Sequence, residues 1–324
     1  MAKNFEFEYI KSFRLCSLEH FAVVKGIAIV ILLIAYVAAA FFGLQQASAL
    51  VGVVCSVFLF CSGYGVCESA AYKNGLPHYW ENKVIKVWLP SVVSLVAVYT
   101  IQSSNPIGWI KDSLIGLSGW FLYILFGFYA AFWFVYKLFQ NKKAYGWVLL
   151  AVAAVAFVCL EKQSYAEVIL AFPLGVLMSQ FGWRNAIKQL GVAGSCVLLL
   201  ALAGVSFGGY VAAKLCSINL LTNLCWLICK TAAALWIVFV PFFVQKVPVF
   251  GVFAVFGEIS FGIYLFFQSA YGLLDAQADW KAVAVVTVVL LVIAGVFSWL
   301  RELLVTQNKK ARRRRGAKLK GSMG

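Results

Sequence analysis

Lys230 is the most unusual ionisable residue of this sequence, because it lies in a long apolar segment. It is the only charged residue between positions 219 and 244, and its neighbours include Leu227, Ile228 and Ala232. An ammonium group in hydrocarbon costs a few kcal/mol, so such residues usually face a bundle interior or a wet cavity. There Lys230 could hold a substrate hydroxyl group. The alternative is that its long side chain extends to the lipid headgroups.

The cysteines and histidines do not indicate a metal site or a disulfide framework. The nine cysteines lie mostly in apolar segments and never form a CxxC pair. Buried cysteine usually behaves as a small hydrophobic residue. The two histidines, His20 and His78, cannot build a zinc site at ligand spacing. We therefore expect no metal and no permanently bound cofactor.

The composition is that of a membrane protein. Of the 324 residues, 63% are hydrophobic and only 12% are charged, whereas soluble domains average about 25% charged residues. A membrane-spanning helix needs about 20 apolar residues, and unbroken apolar runs such as 26–42 and 282–300 do not alternate as barrel strands do. The sequence therefore predicts an all-α, polytopic membrane helix bundle of about ten transmembrane helices.

These predicted spans divide the chain into three parts. Residues 1–21 form an N-terminal segment, 22–304 form one transmembrane domain, and 305–324 form a basic tail that we expect to lack regular structure. No internal repeat is found. The predicted spans are 22–43, 48–67, 84–102, 114–137, 146–160, 165–181, 190–210, 219–244, 249–270 and 282–304.

The distribution of the +15 net charge predicts the orientation of the bundle. Most lysines and arginines lie in the N-terminal segment, in alternate loops and in the C-terminal tail. The loops between hold only Lys111, Lys162, Lys214 and Lys281. By the positive-inside rule, both ends are predicted to be cytoplasmic, in the cell membrane. The tail is expected to bind anionic membrane lipids rather than nucleic acid; a contact with RNA or the ribosome is the alternative.

Three segments differ from generic lipid-facing helices. The first is VKGIAI at 24–29, at the start of span one. The second is FLFCSGYG at 58–65, followed by KVIKVWLP at 83–90. The third is FGEISFGIYL at 256–265, in span nine. In their order and spacing these segments resemble the acyltransferase-3 family of integral-membrane O-acyltransferases.

The resemblance covers about residues 20–270 and implies an activity. Members of that family take an acyl group, often acetyl, from a cytoplasmic acyl-CoA and transfer it to a sugar or a lipid-linked glycan. We therefore expect an acyltransferase that modifies a hydroxyl group of a surface polysaccharide or glycolipid, with acyl-CoA, most simply acetyl-CoA, as its donor substrate.

The resemblance also implies a cationic donor site at the cytoplasmic face. Lys25, Lys83 and Lys86 are the candidate residues, because positive charge would hold the phosphate groups of acyl-CoA. Where the family often has Arg-x-x-Arg, this chain has Lys-x-x-Lys, which keeps the charge and loses the bidentate fork. The alternative is that Lys83 and Lys86 contact lipid headgroups.

The family's two usual histidine positions are both replaced in this chain. By correspondence with the family, the first falls on Tyr36 and the second at or near Gln268, and neither histidine of the chain lies in a predicted span. A base works best with a pKa near ambient pH, as histidine has, whereas a tyrosine, with an ordinary pKa of about 10, would need a nearby cation. The candidate catalytic residues are Tyr36, Lys230 and Gln268, with the amide of Gln268 donating to a developing oxyanion.

Three interpretations of these replacements remain open. The first is an acyltransferase whose mechanism uses Tyr36 together with a lysine or a carboxylate. The second is a catalytically silent, acyltransferase-like subunit that binds or assembles. The third is a membrane transporter or export component, in which case the resemblance would mislead. The lack of internal repeats and of paired broken helices argues against a transporter.

Overall fold

The computed structural model describes residues 17–42, 47–73, 75–102, 120–139, 144–159, 166–243, 250–272 and 280–321. Within these ranges the chain is helical and contains no β-strand. The helices are α1 Leu18–Phe42, α2 Ala47–Tyr72, α3 Tyr79–Lys83, α4 Leu89–Gln102, α5 Trp120–Leu138, α6 Tyr145–Cys159, α7 Ala171–Gln180, α8 Trp183–Lys188, α9 Val192–Leu215, α10 Asn219–Phe243, α11 Phe250–Gly272 and α12 Trp280–Gly321. A π-helical turn, Val84–Trp88, joins α3 to α4.

Six helices in the described ranges are long and apolar enough to cross a membrane. They lie within α1, α2, α5, α9, α10 and α12, and three shorter apolar helices correspond to α6, α7 and part of α11. The protein is therefore an all-helical, multi-pass membrane protein. Each of the ten predicted spans overlaps a helical segment. The number of ten crossings and the cytoplasmic orientation of both ends stay predictions.

The chain forms two compact units. The first unit contains Met1–Leu76 and Trp120–Glu258, and the second contains Pro77–Gly119 and Ile259–Gly324. Helix α11 begins in the first unit and ends in the second. The first unit therefore holds α1, α2 and α5 to α10, and the second holds α3, α4 and α12.

In the first unit, two glycines of the motif segments bring α1 and α11 into backbone contact. A Cβ atom at Gly26 would overlap the backbone carbonyl group of Phe253, and one at Gly257 would overlap that of Ala22. Small residues allow membrane helices to approach closely in this way. The glycines of the first and third motif segments are thus packing residues.

Helices α2 and α7 make the same kind of contact. Gly63 lies against the carbonyl group of Phe172, and Gly175 of α7 lies against that of Phe60. Phe172 is fully buried, and its ring stacks on Phe128 of α5 with 4.9 Å between the ring centroids. The close approach of α2 and α7 thus forms part of the apolar core of the first unit.

Only part of the predicted sixth span, 165–181, forms a regular helix. Residues 167–170 form a turn, and α7 is only ten residues long. Pro173 lies in the first turn of α7, where a backbone N–H group has no partner within the helix. The proline is therefore compatible with the start of this helix and does not kink it.

In the second unit, the Lys-x-x-Lys segment lies where an α-helix changes to a π-helix. Pro90 has no N–H group to bond the carbonyl group four residues earlier. The Leu89 N–H group donates instead to the carbonyl group of Val84, five residues earlier. The Ser91 hydroxyl donates to the carbonyl group of Val87 at 2.7 Å. The LP step of the motif therefore favours a π-helical turn directly after Lys83.

The last helix of the second unit is longer than its predicted span. Gly262 of α11 packs against Ala294, and the Phe266 ring meets Phe297 edge to face at 5.3 Å. The boundary that we predicted at residue 304 does not end the helix, which continues to Gly321. We expected residues 305–324 to lack regular structure, whereas α12 continues through them to Gly321. Lysine, arginine and alanine in the tail all favour a helical backbone.

Candidate functional site

The first unit contains a buried ion pair between α10 and the turn that precedes α7. The ammonium group of Lys230 in α10 pairs with carboxylate oxygen Oε2 of Glu167. The two residues are only 6% and 5% exposed, respectively. Lys230 thus faces the interior of the bundle, as expected for a charged residue in an apolar segment, and does not extend to headgroups.

Two residues, Gly52 and Trp226, lie close to the end of the Lys230 side chain. A Cβ atom at Gly52 of α2 would lie 2.7 Å from the Nζ atom of Lys230, so a larger residue at this position would require the end of the lysine side chain to shift. The Trp226 ring, one turn earlier on α10, lies 5.3 Å from the same Nζ atom. A cation over an indole ring is attracted by the ring quadrupole. The ammonium group is therefore held by a carboxylate and an aromatic ring.

Glu167 is the residue that our sequence reasoning missed. It lies in the turn before α7, in the segment that we predicted as span six. A usable signal was present, because Glu167 is the only charged residue between positions 165 and 181. Intramembrane charges tend to pair with each other, so an isolated acid and an isolated lysine in apolar segments are natural partners.

Lys230 also lines an elongated apolar cavity of about 630 Å³. The cavity lies between α1, α2, α9 and α10. Lys230 is the only charged side chain among the described residues that line it. The main apolar lining residues are Ile31, Ala35, Leu50, Phe207, Trp236 and Ile237.

Tyr36 approaches the same part of α2 as Lys230 does. It is half-buried on α1, and it interacts electrostatically with Cys55 of α2. Cys55 lies three residues after Gly52, the residue opposite Lys230, and residues three apart share a helix face. Tyr36 and Lys230 thus both interact with this face of α2.

Lys25 lies on the same helix as Tyr36 but at a different depth. Eleven residues separate them, which corresponds to about 16 Å along a helix axis. Lys25 is half-buried and interacts electrostatically with Cys61 of α2. Lys25, the residue proposed to hold the donor, thus lies well apart along α1 from Tyr36, the residue proposed to take part in the reaction.

The other three predicted site residues lie in the second unit. The Nζ atom of Lys83 lies 5.5 Å from the centre of the Tyr79 ring, and Lys86 is exposed within the π-helical turn. Gln268 lies on α11, and its side chain is outside the described residues. The roles of these residues, like those of Tyr36, Lys230 and Lys25, stay predictions.

His20 lies inside a helix, contrary to expectation. The predicted first span begins at residue 22, and α1, the helix that contains it, begins four residues earlier at Leu18. The hydroxyl of Ser17 accepts the His20 N–H group at 3.1 Å, as an N-cap does. His20 is fully buried and its ring is hydrogen-bonded to the backbone of Val238 in α10. Its visible role is to join α1 to α10.

Comparison with known proteins places the chain in one family. A family model described as an acyltransferase domain matches residues 20–300. No curated protein and no solved structure gives a significant match. The matched region includes most of each unit, all three motif segments and the Lys230–Glu167 pair. The chain therefore belongs to the acyltransferase-3 family.

Proposed function

We propose that this membrane acyltransferase transfers an acyl group, most simply acetyl, from a cytoplasmic acyl-CoA to a sugar hydroxyl of a surface polysaccharide or glycolipid. The observation that carries the proposal is the buried Lys230–Glu167 pair beside the cavity, in a chain of this family. A buried charged pair is costly to maintain in a membrane protein and usually marks a functional site.

The reaction requires a group that accepts a proton and a group that stabilises negative charge. The acceptor oxygen attacks the thioester carbonyl carbon, a C–O bond forms, and the C–S bond breaks. The hydroxyl proton passes to a base, and the coenzyme A thiolate leaves and is protonated to the thiol. In our proposal, Lys230 holds the acceptor oxygen, and the Glu167 carboxylate, or Tyr36 as its phenolate, accepts the hydroxyl proton and then passes it to the leaving thiolate. The proposed role of Gln268 rests only on its correspondence with a family position.

Acyl transfer from labelled acetyl-CoA in proteoliposomes tests the role of the pair. Lys230→Met combined with Glu167→Gln removes both charges and leaves none unpaired. We expect at least about a hundredfold loss of transfer, because an interaction with the reacting atoms is removed. Lys214→Met, which changes an exposed lysine on α9, is the matched control and should transfer normally. Normal transfer by the double variant would disprove the role of the pair.

Acyl-CoA binding tests the proposed donor residues. Replacing Lys83 and Lys86 together by alanine should weaken binding about tenfold at low salt, and less at high salt, because contacts between exposed charges are screened. Lys73 and Lys281 are both exposed, and their double alanine variant is the control. Equal affinity of the two double variants would remove Lys83 and Lys86 from the donor site.

A second candidate function is a binding or assembly subunit that performs no chemistry. The observation in its favour is that Tyr36 and Gln268 occupy both usual histidine positions. It predicts that the wild-type protein binds acyl-CoA and transfers no label to any acceptor. The proteoliposome assay therefore separates the two candidates.

A further inference from the structure

The cavity beside Lys230 has the length of a single membrane leaflet. Helix α10 lines it from Trp226 to Ile237, and α1 lines it from Ile31 to Ala38. At 1.5 Å per residue, the α10 stretch is about 16 Å long. A hydrocarbon core is about 30 Å thick, so the cavity runs along the helices for about half that distance. This shape fits one extended hydrocarbon chain that lies parallel to the helices.

The chemistry of the walls also fits a hydrocarbon chain. The volume of about 630 Å³ lies in the range of ligand-binding pockets. Apart from Lys230, the described lining is mainly aliphatic and aromatic, with Ser206 and Tyr210 as its hydroxyl groups. Phe207, which also lines the cavity, is 70% exposed. Helix α9 thus has a surface through which a chain could enter from the side.

The polar groups of the cavity are concentrated around Trp226. Its ring lies 5.3 Å from the Lys230 Nζ atom and meets the Tyr210 ring edge to face at 5.7 Å. The cavity therefore has a long apolar part and one region where polar and aromatic groups lie together. An amphiphile, with a hydrocarbon chain and a polar head, matches both parts.

The ion pair selects the charge of that head. The charges of Lys230 and Glu167 cancel locally, because their side chains are in direct contact. Of the two residues, Lys230 lines the cavity, and because Glu167 neutralises it, the pair has no net charge with which to offset the desolvation of an anionic or a cationic head. An uncharged hydroxyl group can accept a hydrogen bond from the ammonium, which has three donors.

We infer that this cavity binds the acceptor as an uncharged, hydroxyl-bearing membrane lipid, such as a glycolipid. Its hydrocarbon chain lies between α1, α9 and α10, and its hydroxyl group lies at the Lys230–Glu167 pair. The claim that this lipid is the acceptor rests on the proposed function. The lipid site itself is a separate claim and can be tested without any acyl transfer.

The test uses the full chain in phosphatidylcholine nanodiscs and an alkyl glucoside whose chain carries a diazirine. After irradiation, mass spectrometry maps the labelled peptides. We expect labelling of α9 and α10 at the cavity. Decyl glucoside should compete at least about tenfold better than decyl phosphate or decyltrimethylammonium, which have the same chain and charged heads. Equal competition by either charged lipid, or labelling spread evenly over all helices, would overturn the inference.

Two variants of α9 provide a matched pair. Ala203 lines the cavity, whereas Val205 does not, and both are exposed on the same helix. Ala203→Trp should fill the cavity and lower labelling about tenfold, whereas Val205→Trp should leave it unchanged. Unchanged labelling of Ala203→Trp, with both variants folded by size-exclusion chromatography, would contradict the site.

Acyl transfer measured on the same preparations keeps the two proposals distinguishable. If Ala203→Trp loses glucoside labelling but the wild-type protein transfers no acyl group, the lipid site stands and the proposed function fails. If the wild-type protein transfers acyl groups and Ala203→Trp labels normally, the function stands and the lipid site fails.

Discussion

The Lys230–Glu167 pair holds two opposite charges in a mostly apolar interior. Such a pair gains Coulomb energy but loses the hydration of both groups, so its net contribution to stability is small or unfavourable. Residues with little exposed surface, 6% for Lys230 and 5% for Glu167, cannot regain that hydration. The pair is therefore better explained by function than by stability.

This balance predicts opposite behaviour of single and double variants in thermal unfolding. Lys230→Met leaves the Glu167 carboxylate buried without its partner and should cost about 3 to 5 kcal/mol. Lys230→Met with Glu167→Gln removes both charges and should unfold near the wild-type temperature. Melting of the detergent-solubilised variants measures this difference. If the double variant melts as low as the single variant, the cost lies in lost packing and not in an unpaired charge.

The sequence predicted one member of this pair and not the other. Lys230 was recognisable because it is the only charge in a long apolar segment. Glu167 was hidden because 165–181 was interpreted as a complete span, whereas its first part is a turn. The partnership depends on where the fold places the turn before α7 relative to α10, and residues 63 positions apart in sequence carry no periodic signal of such contact.

At the scale of the helices, glycines set the distances. Gly26, Gly63 and Gly257 belong to the three motif segments, and each lies against the backbone of a neighbouring helix. The close approach of helices was predictable from the small residues, but the partners were not. Each glycine must meet one particular carbonyl group, and that choice depends on the tertiary arrangement.

The SGYG segment of α2 contains an internal control for this effect. A Cβ atom at Gly63 would overlap the carbonyl group of Phe172, whereas one at Gly65 would have no neighbour within 4 Å. Gly63→Ala should force α2 from α7 and destabilise the protein by about 1 to 3 kcal/mol. Gly65→Ala should be neutral or stabilise it by up to about 1 kcal/mol, because alanine favours the helix.

The melting temperatures of the two alanine variants, in the same detergent, measure this contrast. Equal shifts would mean that glycine at position 63 serves helix flexibility rather than close packing.

At the scale of the whole molecule, the helical membrane architecture follows directly from composition. The predicted spans match helices because each apolar run is long and bounded by polar loops. Only six helices in the described ranges satisfy both length and apolarity. The shorter helices, such as α7, are less clear from sequence, because ten apolar residues fit a buried segment as well as part of a span.

The charge distribution predicts that both ends are cytoplasmic. We expect a reporter that fluoresces only in the cytoplasm to be active when fused to either end. A periplasmic-type reporter, such as an alkaline phosphatase, should be active when inserted at Lys111 or at Ser217, in segments between predicted spans that are poor in cations. Activity of the phosphatase at either terminus would show an odd number of crossings or an inverted bundle.

The short length of α7 has a consequence for biosynthesis. Ten residues extend about 15 Å, half of a hydrocarbon core, so this helix cannot span a bilayer alone. Glu167 precedes it and would enter the lipid as an uncompensated charge. Its partner Lys230 is synthesised 63 residues later. We therefore expect the segment to reach its final depth only after α10 has left the ribosome, so that the pair would set an order of insertion as well as a site.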